Sequence, residues 1–289
     1  MNNTAPVVLD FDGSQGVVAG ATELALADWQ EAIRFGCSLT TFKKLTKVLQ
    51  QQLPADHGTV LLGSGDFHHL TWPLVEQLQA RGPFQVVLFD NHPDNMRFPF
   101  GIHCGSWVRK VALLPYVTHV HVLGVTSPDI AFASAWQQYW LPLLKGKLTY
   151  WCTDVDVRWA KCFGLKNAFR HFDNPDELIA GFISSQGPVP TYLTIDKDVL
   201  SPAAVNTNWD QGRMLERHLG TVIEALKGNI IGSDITGDVS AWQYSTWWKK
   251  QLSALDGQTD IPPEQLRQWQ QDQQALNARL LKLIAENSR

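Results

Sequence analysis

Short, nearly continuous apolar runs recur along the chain, and each ends in polar or turn-forming residues. They occupy 7–9, 59–62, 84–90, 117–125, 147–156, 191–198 and 229–235. Apolar runs bounded in this way suit strands buried on both faces. Between them, apolar residues recur three and four positions apart, which is the helical period. That pattern predicts helices over 21–35, 38–53, 70–80, 106–114, 128–140, 174–183, 213–227 and 241–255. Ser38 or Thr40 would cap the second of these and Asn174 the sixth. Strands alternating with helices predict an α/β fold with a mainly parallel sheet and right-handed crossovers.

The last segment has a different rhythm. Asp260-Ile261-Pro262-Pro263 is a helix-start signal. Leu266, Trp269, Leu276, Leu280 and Leu283 then follow at helical steps, with Gln273 in one apolar slot. The expected organisation is a catalytic domain over 1–256 and a terminal helix over 257–289. That helix packs on its own domain or on the partner in a homo-oligomer.

Composition narrows the classes. A chain of 289 residues with 44% hydrophobic content can bury a sizeable core. The net charge is −4 and no Lys/Arg run forms a nucleic-acid track. No apolar stretch reaches the roughly 18 residues that span a bilayer. Residues 1–6 lack the basic-then-apolar pattern of a signal peptide. The four cysteines, Cys37, Cys104, Cys152 and Cys162, form no Cys-x-x-Cys pair. The expectation is a cytoplasmic protein with reduced thiols, acting on a small molecule, with no nucleic-acid or membrane partner.

Three strand ends carry the candidate chemistry. The first runs into Gly63-Ser64-Gly65-Asp66-Phe67-His68-His69. The second ends in Asp90-Asn91-His92-Pro93-Asp94, and the third in Asp196-Lys197-Asp198. Side chains alternate along an extended backbone, so 90, 92 and 94 can lean to one face, as can 196 and 198. Pro93 cannot extend a central ladder, which places these groups at the carboxyl mouth of the sheet, where α/β folds bind ligands. Carboxylates and imidazoles in these numbers suit two divalent cations about 3.5–4 Å apart, with bridging carboxylates. Mixed His/Asp ligation points to Mn, with Zn, Fe or Co also compatible.

With those three motifs in order, the chain resembles the arginase/agmatinase/formiminoglutamase family, the ureohydrolases, over roughly residues 58–240. Gly65-Asp66-Phe67-His68-His69 is similar to the family's Gly-Gly-Asp-His, with one residue inserted. Asp90-Asn91-His92-Pro93-Asp94 is similar to Asp-Ala-His-x-Asp. Thr194-Ile195-Asp196-Lys197-Asp198-Val199-Leu200-Ser201-Pro202 is similar to Ser-x-Asp-x-Asp-x-x-Asp-Pro. The resemblance implies a three-layer α-β-α fold and two Mn2+ per chain. One ion would be held by His68, Asp90, Asp94 and Asp196, the other by Asp90, His92, Asp196 and Asp198. His69 is the competing choice for His68. It also implies hydroxide attack on the carbon of a linear amidine or guanidine, with Asp94 or His103 moving the proton to the departing amine. Trimers or hexamers are implied as well.

Two departures bear on the substrate. The family's guanidinium-contacting Glu falls on Gly237, so Asp238 is the nearest carboxylate. Ser201 replaces the last Asp of the third motif. The loop 206–212 lies where the family binds substrate but differs in sequence, with Trp209 and Asp210 as candidate pocket residues. Cys104 reads as a small buried residue, and His119 and His121 read as structural.

Two rivals remain open at this stage. Leu9-Asp10-Phe11-Asp12-Gly13-Ser14 resembles a haloacid-dehalogenase nucleophile motif, with Asp10 as nucleophile, Asp12 as acid/base and Mg2+. That reading leaves residues 68–198 unexplained. The other rival is a non-catalytic or regulatory binding protein on the same scaffold.

Overall fold

The structure, a computed structural model, describes residues 4–255 and 261–289. Residues 1–3, the expected boundary near 256, and Asp260 of the helix-start signal lie outside the described residues.

The strands are β1 (Val7–Asp10), β2 (Thr22–Ala25), β3 (Gly36–Cys37), β4 (Val60–Gly63), β5 (Phe84–Phe89) and β6 (Ile102–His103), then β7 (Val117–Val125), β8 (Leu148–Cys152), β9 (Phe169–His171), β10 (Thr191–Asp196) and β11 (Ile230–Thr236). Nine of them form one sheet in the order β2-β1-β4-β11-β10-β5-β7-β8-β9, while β3 and β6 pair apart from it. Every neighbouring pair in the large sheet is parallel. The expected parallel α/β architecture is therefore present.

The helices are α1 (Gln30–Ile33), α2 (Leu39–Gln52), α3 (Thr71–Gln77), α4 (Val108–Ala112), α5 (Trp140–Leu144), α6 (Pro175–Ser185), α7 (Glu216–Ala225), α8 (Trp247–Leu255) and α9 (Pro263–Asn287). Alternation along the strands divides the core in two. Phe84, Val86 and Leu88 of β5 join Leu45 and Leu49 of α2 and Val108 and Val111 of α4. Val87 and Phe89 of the same strand face Ile179 and Phe182 of α6 and Leu219 and Val222 of α7. Helices thus cover both faces, giving three layers. Each fully buried Val, Leu or Phe contributes roughly 1.5–3 kcal/mol relative to exposure.

Helix α9 lays Leu276, Leu280 and Ile284 into the second of these cores. Its polar slot, Gln273, is fully buried and donates to the carbonyls of Asn206 at 2.6 Å and Gly237 at 3.1 Å. The residue that interrupts the apolar stripe thus ties the helix to two loops.

Three helix expectations need correction. Residues 21–35 begin with the edge strand β2 rather than a helix. Leu24 is buried and Glu23 and Ala25 are exposed, a two-residue period that a short window confuses with a helical one. Residues 128–140 form two short 3₁₀ segments, Pro128–Ile130 and Phe132–Gln137, separated by the extended backbone of Ala131. In 241–255 the helix starts only at Trp247. Glu31 draws the preceding segment against α1 by accepting from Trp242 Nε1 at 2.9 Å and from the Thr246 amide at 3.0 Å.

The Asn174 cap is present: its Oδ1 accepts from the Glu177 amide at 2.9 Å, with Pro175 in the first turn. Asn174→Ala should lower stability by about 1 kcal/mol, the usual value of an N-cap. Chemical denaturation checks this, and an unchanged midpoint would show that α6 is held by packing alone.

Candidate metal centre

Strands β4, β11, β10 and β5 lie side by side at the middle of the sheet. Beyond β4 the chain turns through a 3₁₀ segment, Gly65–Leu70, that carries His68. Strand β5 ends one residue before Asp90, β10 ends on Asp196, and β11 leads into Gly237 and Asp238. All four therefore deliver their groups to one carboxyl edge, as expected for a parallel sheet.

His68 Nδ1 lies 3.0 Å from Asp94 Oδ2 and 3.3 Å from both Asp90 Oδ2 and Asp196 Oδ2. His92 Nδ1 lies 2.9 Å from Asp198 Oδ2 and 3.6 Å from Asp90 Oδ1. Two groups can each hold a cation, His68–Asp90–Asp94 and Asp90–His92–Asp198, with ligand atoms inside 4.8 Å of one another. Asp90 belongs to both. His69, by contrast, is buried against Phe42, with ring centroids 5.8 Å apart. The insertion of Phe67 is absorbed by the 3₁₀ turn, where Phe67 stacks on Phe11 at 4.1 Å.

The electrostatics fit a cation. The ion-pair partners of Asp90, Asp94 and Asp198 among the described residues are imidazoles, not lysine or arginine. Burial, and then the charge of Asp90, pushes Asp94 up to about 7. Burial, Asp196 and Asp90 push Asp198 well above the carboxylate range. Burial opposes protonation of His68, but hydrogen bonds to Asp196, Asp90 and Asp94 prevail and raise it well above its ordinary value. Crowded buried carboxylates that hold on to protons are the donor set a divalent cation relieves. The residues present therefore fit divalent cations, and the two groups would accommodate the pair that the sequence resemblance implies.

A layer of partners fixes these groups. His68 Nε2 lies 3.2 Å from Thr194 Oγ1, which donates to Asp234 Oδ1 at 2.6 Å. Tyr192 donates its hydroxyl to Asp234 Oδ2, also at 2.6 Å. The chain sets the His68 ring with Nδ1 facing the carboxylates. Trp107 Nε1 donates to Asp94 Oδ2 at 2.6 Å, and Asp94 has the uncommon φ of 46°. Asp198 Oδ1 accepts from the Asn91 amide at 3.0 Å, so support arrives from the segment after β5 although Ser201 has replaced the usual Asp.

A cavity of about 370 Å³ opens onto the cluster. Phe35, Arg97, Phe98, His103, Asp129 and Trp209 line it beyond the carboxylates and imidazoles. His103 Nδ1 accepts from the Gly105 amide at 2.9 Å, so the ring hydrogen sits on Nε2. Burial lowers its pKa to about 4. Trp209 packs near Phe35, with nearly parallel rings 6.2 Å apart, and edge-on to His92 at 6.0 Å. Motif spacing missed Phe35, Arg97, Phe98, Asp129 and Trp107. The buried mid-strand Asp234 was the one detectable signal, because a carboxylate there requires partners.

The substrate end departs from expectation. Asp238 does not line the cavity. It is buried, accepting from Lys197 Nζ at 2.5 Å and Asn277 Nδ2 at 2.9 Å. Gly237 has φ 89°, and a Cβ there would stand 2.5 Å from Asp196 Oδ1 and 2.8 Å from the Lys197 amide. No side chain fits at 237 without moving Asp196 or the backbone. Asp210 reaches the site through His92 Nε2, 2.8 Å away.

The phosphatase reading gains no support. Asp12 is paired with the buried Arg34 at 2.9 Å, and Asp10 accepts from the Gly13 amide of its own turn at 2.7 Å. His119 and His121 have ring centroids 4.3 Å apart and hydrogen-bond to Thr149 and Trp151. No helix among the described residues is long and apolar enough to cross a membrane.

Comparison with known proteins bears on the family and the fold. A family model described as Arginase family matches residues 9–237. An uncharacterized protein of Thermotoga maritima is 27% identical over 250 residues, covering 85% of this chain and 83% of that protein. Among solved structures, proclavaminate amidino hydrolase from Streptomyces clavuligerus superposes with a TM-score of 0.54 at 15% identity, covering 98% of this chain and 92% of that one. Agmatine ureohydrolase of Thermoplasma volcanium gives 0.53 at 13% identity, covering 99% and 90%.

Proposed function

The chain belongs to the arginase family, and from that premise we propose that it is a metal-dependent hydrolase of a C–N bond in a small linear amidine or guanidine. The observation that carries this reading is the convergence of His68, Asp90, His92, Asp94, Asp196 and Asp198, all buried but the half-buried His92, from the carboxyl ends of three strands, β4, β5 and β10. In this reading His68, Asp90, Asp94 and Asp196 would hold one divalent cation of the Mn class. Asp90, His92, Asp196 and Asp198 would hold the other. When bound, such a pair supplies Lewis acidity and lowers the pKa of water to about 7.

The protein's own groups then orient and move protons. Trp107 restrains Asp94 by its hydrogen bond to Oδ2, which holds in place the carboxylate of the set that would also relay a proton. His103 offers an Nε2–H within a mostly apolar wall and suits hydrogen bonding to a departing nitrogen. Phe35, Phe98 and Trp209 suit exclusion of water around a planar amidine. With Gly237 in place of a carboxylate, Asp129 and Arg97 remain as charged groups of the wall outside the cluster. The presence of both signs in the wall supports a substrate that carries both a cationic and an anionic group.

Mn2+-loaded protein should release urea, ammonia or formamide from at least one member of a panel of guanidino, amidino and formimino compounds. Prior treatment with a chelator should abolish the release. Loaded protein that turns over none of them would favour a binding role instead.

A further inference from the structure

Asp210 was expected to meet substrate, yet its contacts point to the protein. Its Oδ1 lies 2.8 Å from His92 Nε2. Its Oδ2 and its carbonyl oxygen both accept from Asn91 Nδ2, each at 3.1 Å. Asn91 is itself held by Thr126, whose hydroxyl donates to Asn91 Oδ1 at 2.6 Å. The loop bearing Asp210 is pinned on its other side: the Gly212 amide donates to the Asp198 carbonyl at 2.7 Å. Gln211 Nε2 donates to the carbonyls of Leu200 and Val205, both at 2.8 Å. Although its side chain is 61% exposed, Asp210 is therefore placed against His92 by a braced loop.

An imidazole that ligates through one nitrogen normally donates its other N–H to a carboxylate or carbonyl, which fixes both tautomer and ring orientation. His92 turns Nδ1 towards Asp90 and Asp198, so Nε2 is the nitrogen that must carry the hydrogen. We propose that Asp210 is a positioning residue, the carboxylate that holds His92 with its Nδ1 lone pair facing Asp90 and Asp198. Through His92 it sets the affinity of one half of the centre only. His68 has its own separate holder in Thr194 and Asp234. The two imidazoles are thus oriented by different parts of the chain, so loss of one holder leaves the other imidazole in place. The inference rests on the metal-centre reading above.

Titration of the purified full chain with Mn2+ alone, by calorimetry and electron paramagnetic resonance, tests it. The wild type should bind two ions and show the spectrum of a spin-coupled pair. Asp210→Ala should weaken one ion by about 10–100-fold, the range for losing such a partner. The other ion should keep its affinity, and the uncoupled six-line spectrum should replace the coupled one at intermediate Mn2+. Asp210→Asn, whose amide oxygen still accepts from Nε2–H, should recover most of the loss. Two ions bound with wild-type affinity by Asp210→Ala would overturn the proposal alone. So would equal weakening of both ions. A raised KM with unchanged metal binding would restore Asp210 to the substrate. A wild type that binds no Mn2+ would overturn the metal-centre reading and this inference together.

Discussion

Asp196→Ala should leave the purified protein with less than one divalent cation per chain, against two for the wild type. It should also lower turnover by about 10³-fold or more. Metal Lewis acidity contributes several kcal/mol to a transition state, and each 1.36 kcal/mol is tenfold in rate. Asp196 has this weight because of where it stands. It closes β10, its Oδ2 lies 3.3 Å from His68 Nδ1, and its Oδ1 accepts from the Asp198 amide at 3.1 Å. Removing it takes a carboxylate from the His68 side and loosens the turn that presents Asp198. Metal content after gel filtration measures the first effect, and product release measures the second. A variant that retains two ions per chain would exclude Asp196 from the centre.

Asp238→Ala should cost about 3–5 kcal/mol of stability, the penalty for stranding one partner of a buried ion pair. Lys197 and Asp238 are both fully enclosed, and their 2.5 Å contact is completed by Asn277 of α9, which accepts from Lys197 Nζ at 2.9 Å. Without Asp238, the Lys197 ammonium keeps a neutral amide and only the more distant charge of Asp196. Lys197 sits between Asp196 and Asp198 in sequence, so the same substitution should weaken metal binding. The paired replacement Lys197→Met with Asp238→Leu removes both charges and should recover much of the loss. Denaturant titration of the single and paired variants separates the outcomes. A single variant as stable as the wild type would mean that the ion pair contributes nothing.

The motifs made the candidate cluster legible because its residues are local in sequence. Asp90, His92 and Asp94 follow one strand and Asp196 and Asp198 close another, so each set is close in sequence, although bends after Phe89 and a 3₁₀ turn at 197–199, not an extended period of two, bring each set together. The choice between His68 and His69 depended on a 3₁₀ turn whose phase the insertion of Phe67 obscured. The strand pattern also held, because β4, β5, β10 and β11 are buried on both faces and read as apolar runs. At the edge the signal failed, since β2 is half exposed and shares its period with a short helix. The cavity wall was the least legible part. Phe35, Arg97, Phe98 and Asp129 come from separate loops that only the sheet brings together. Asp238 misled for the opposite reason. As the carboxylate nearest the expected position it looked available, but Lys197 and a helix some 40 residues further on had already engaged it.

Anomalous diffraction from Mn2+-soaked crystals, collected near the manganese edge, tests the central claim most directly. Two peaks per chain are expected, one beside His68, Asp94 and Asp196, the other beside His92 and Asp198, with Asp90 within reach of both. No peak within reach of Asp90, or a single peak beside Asp10 and Asp12, would contradict it.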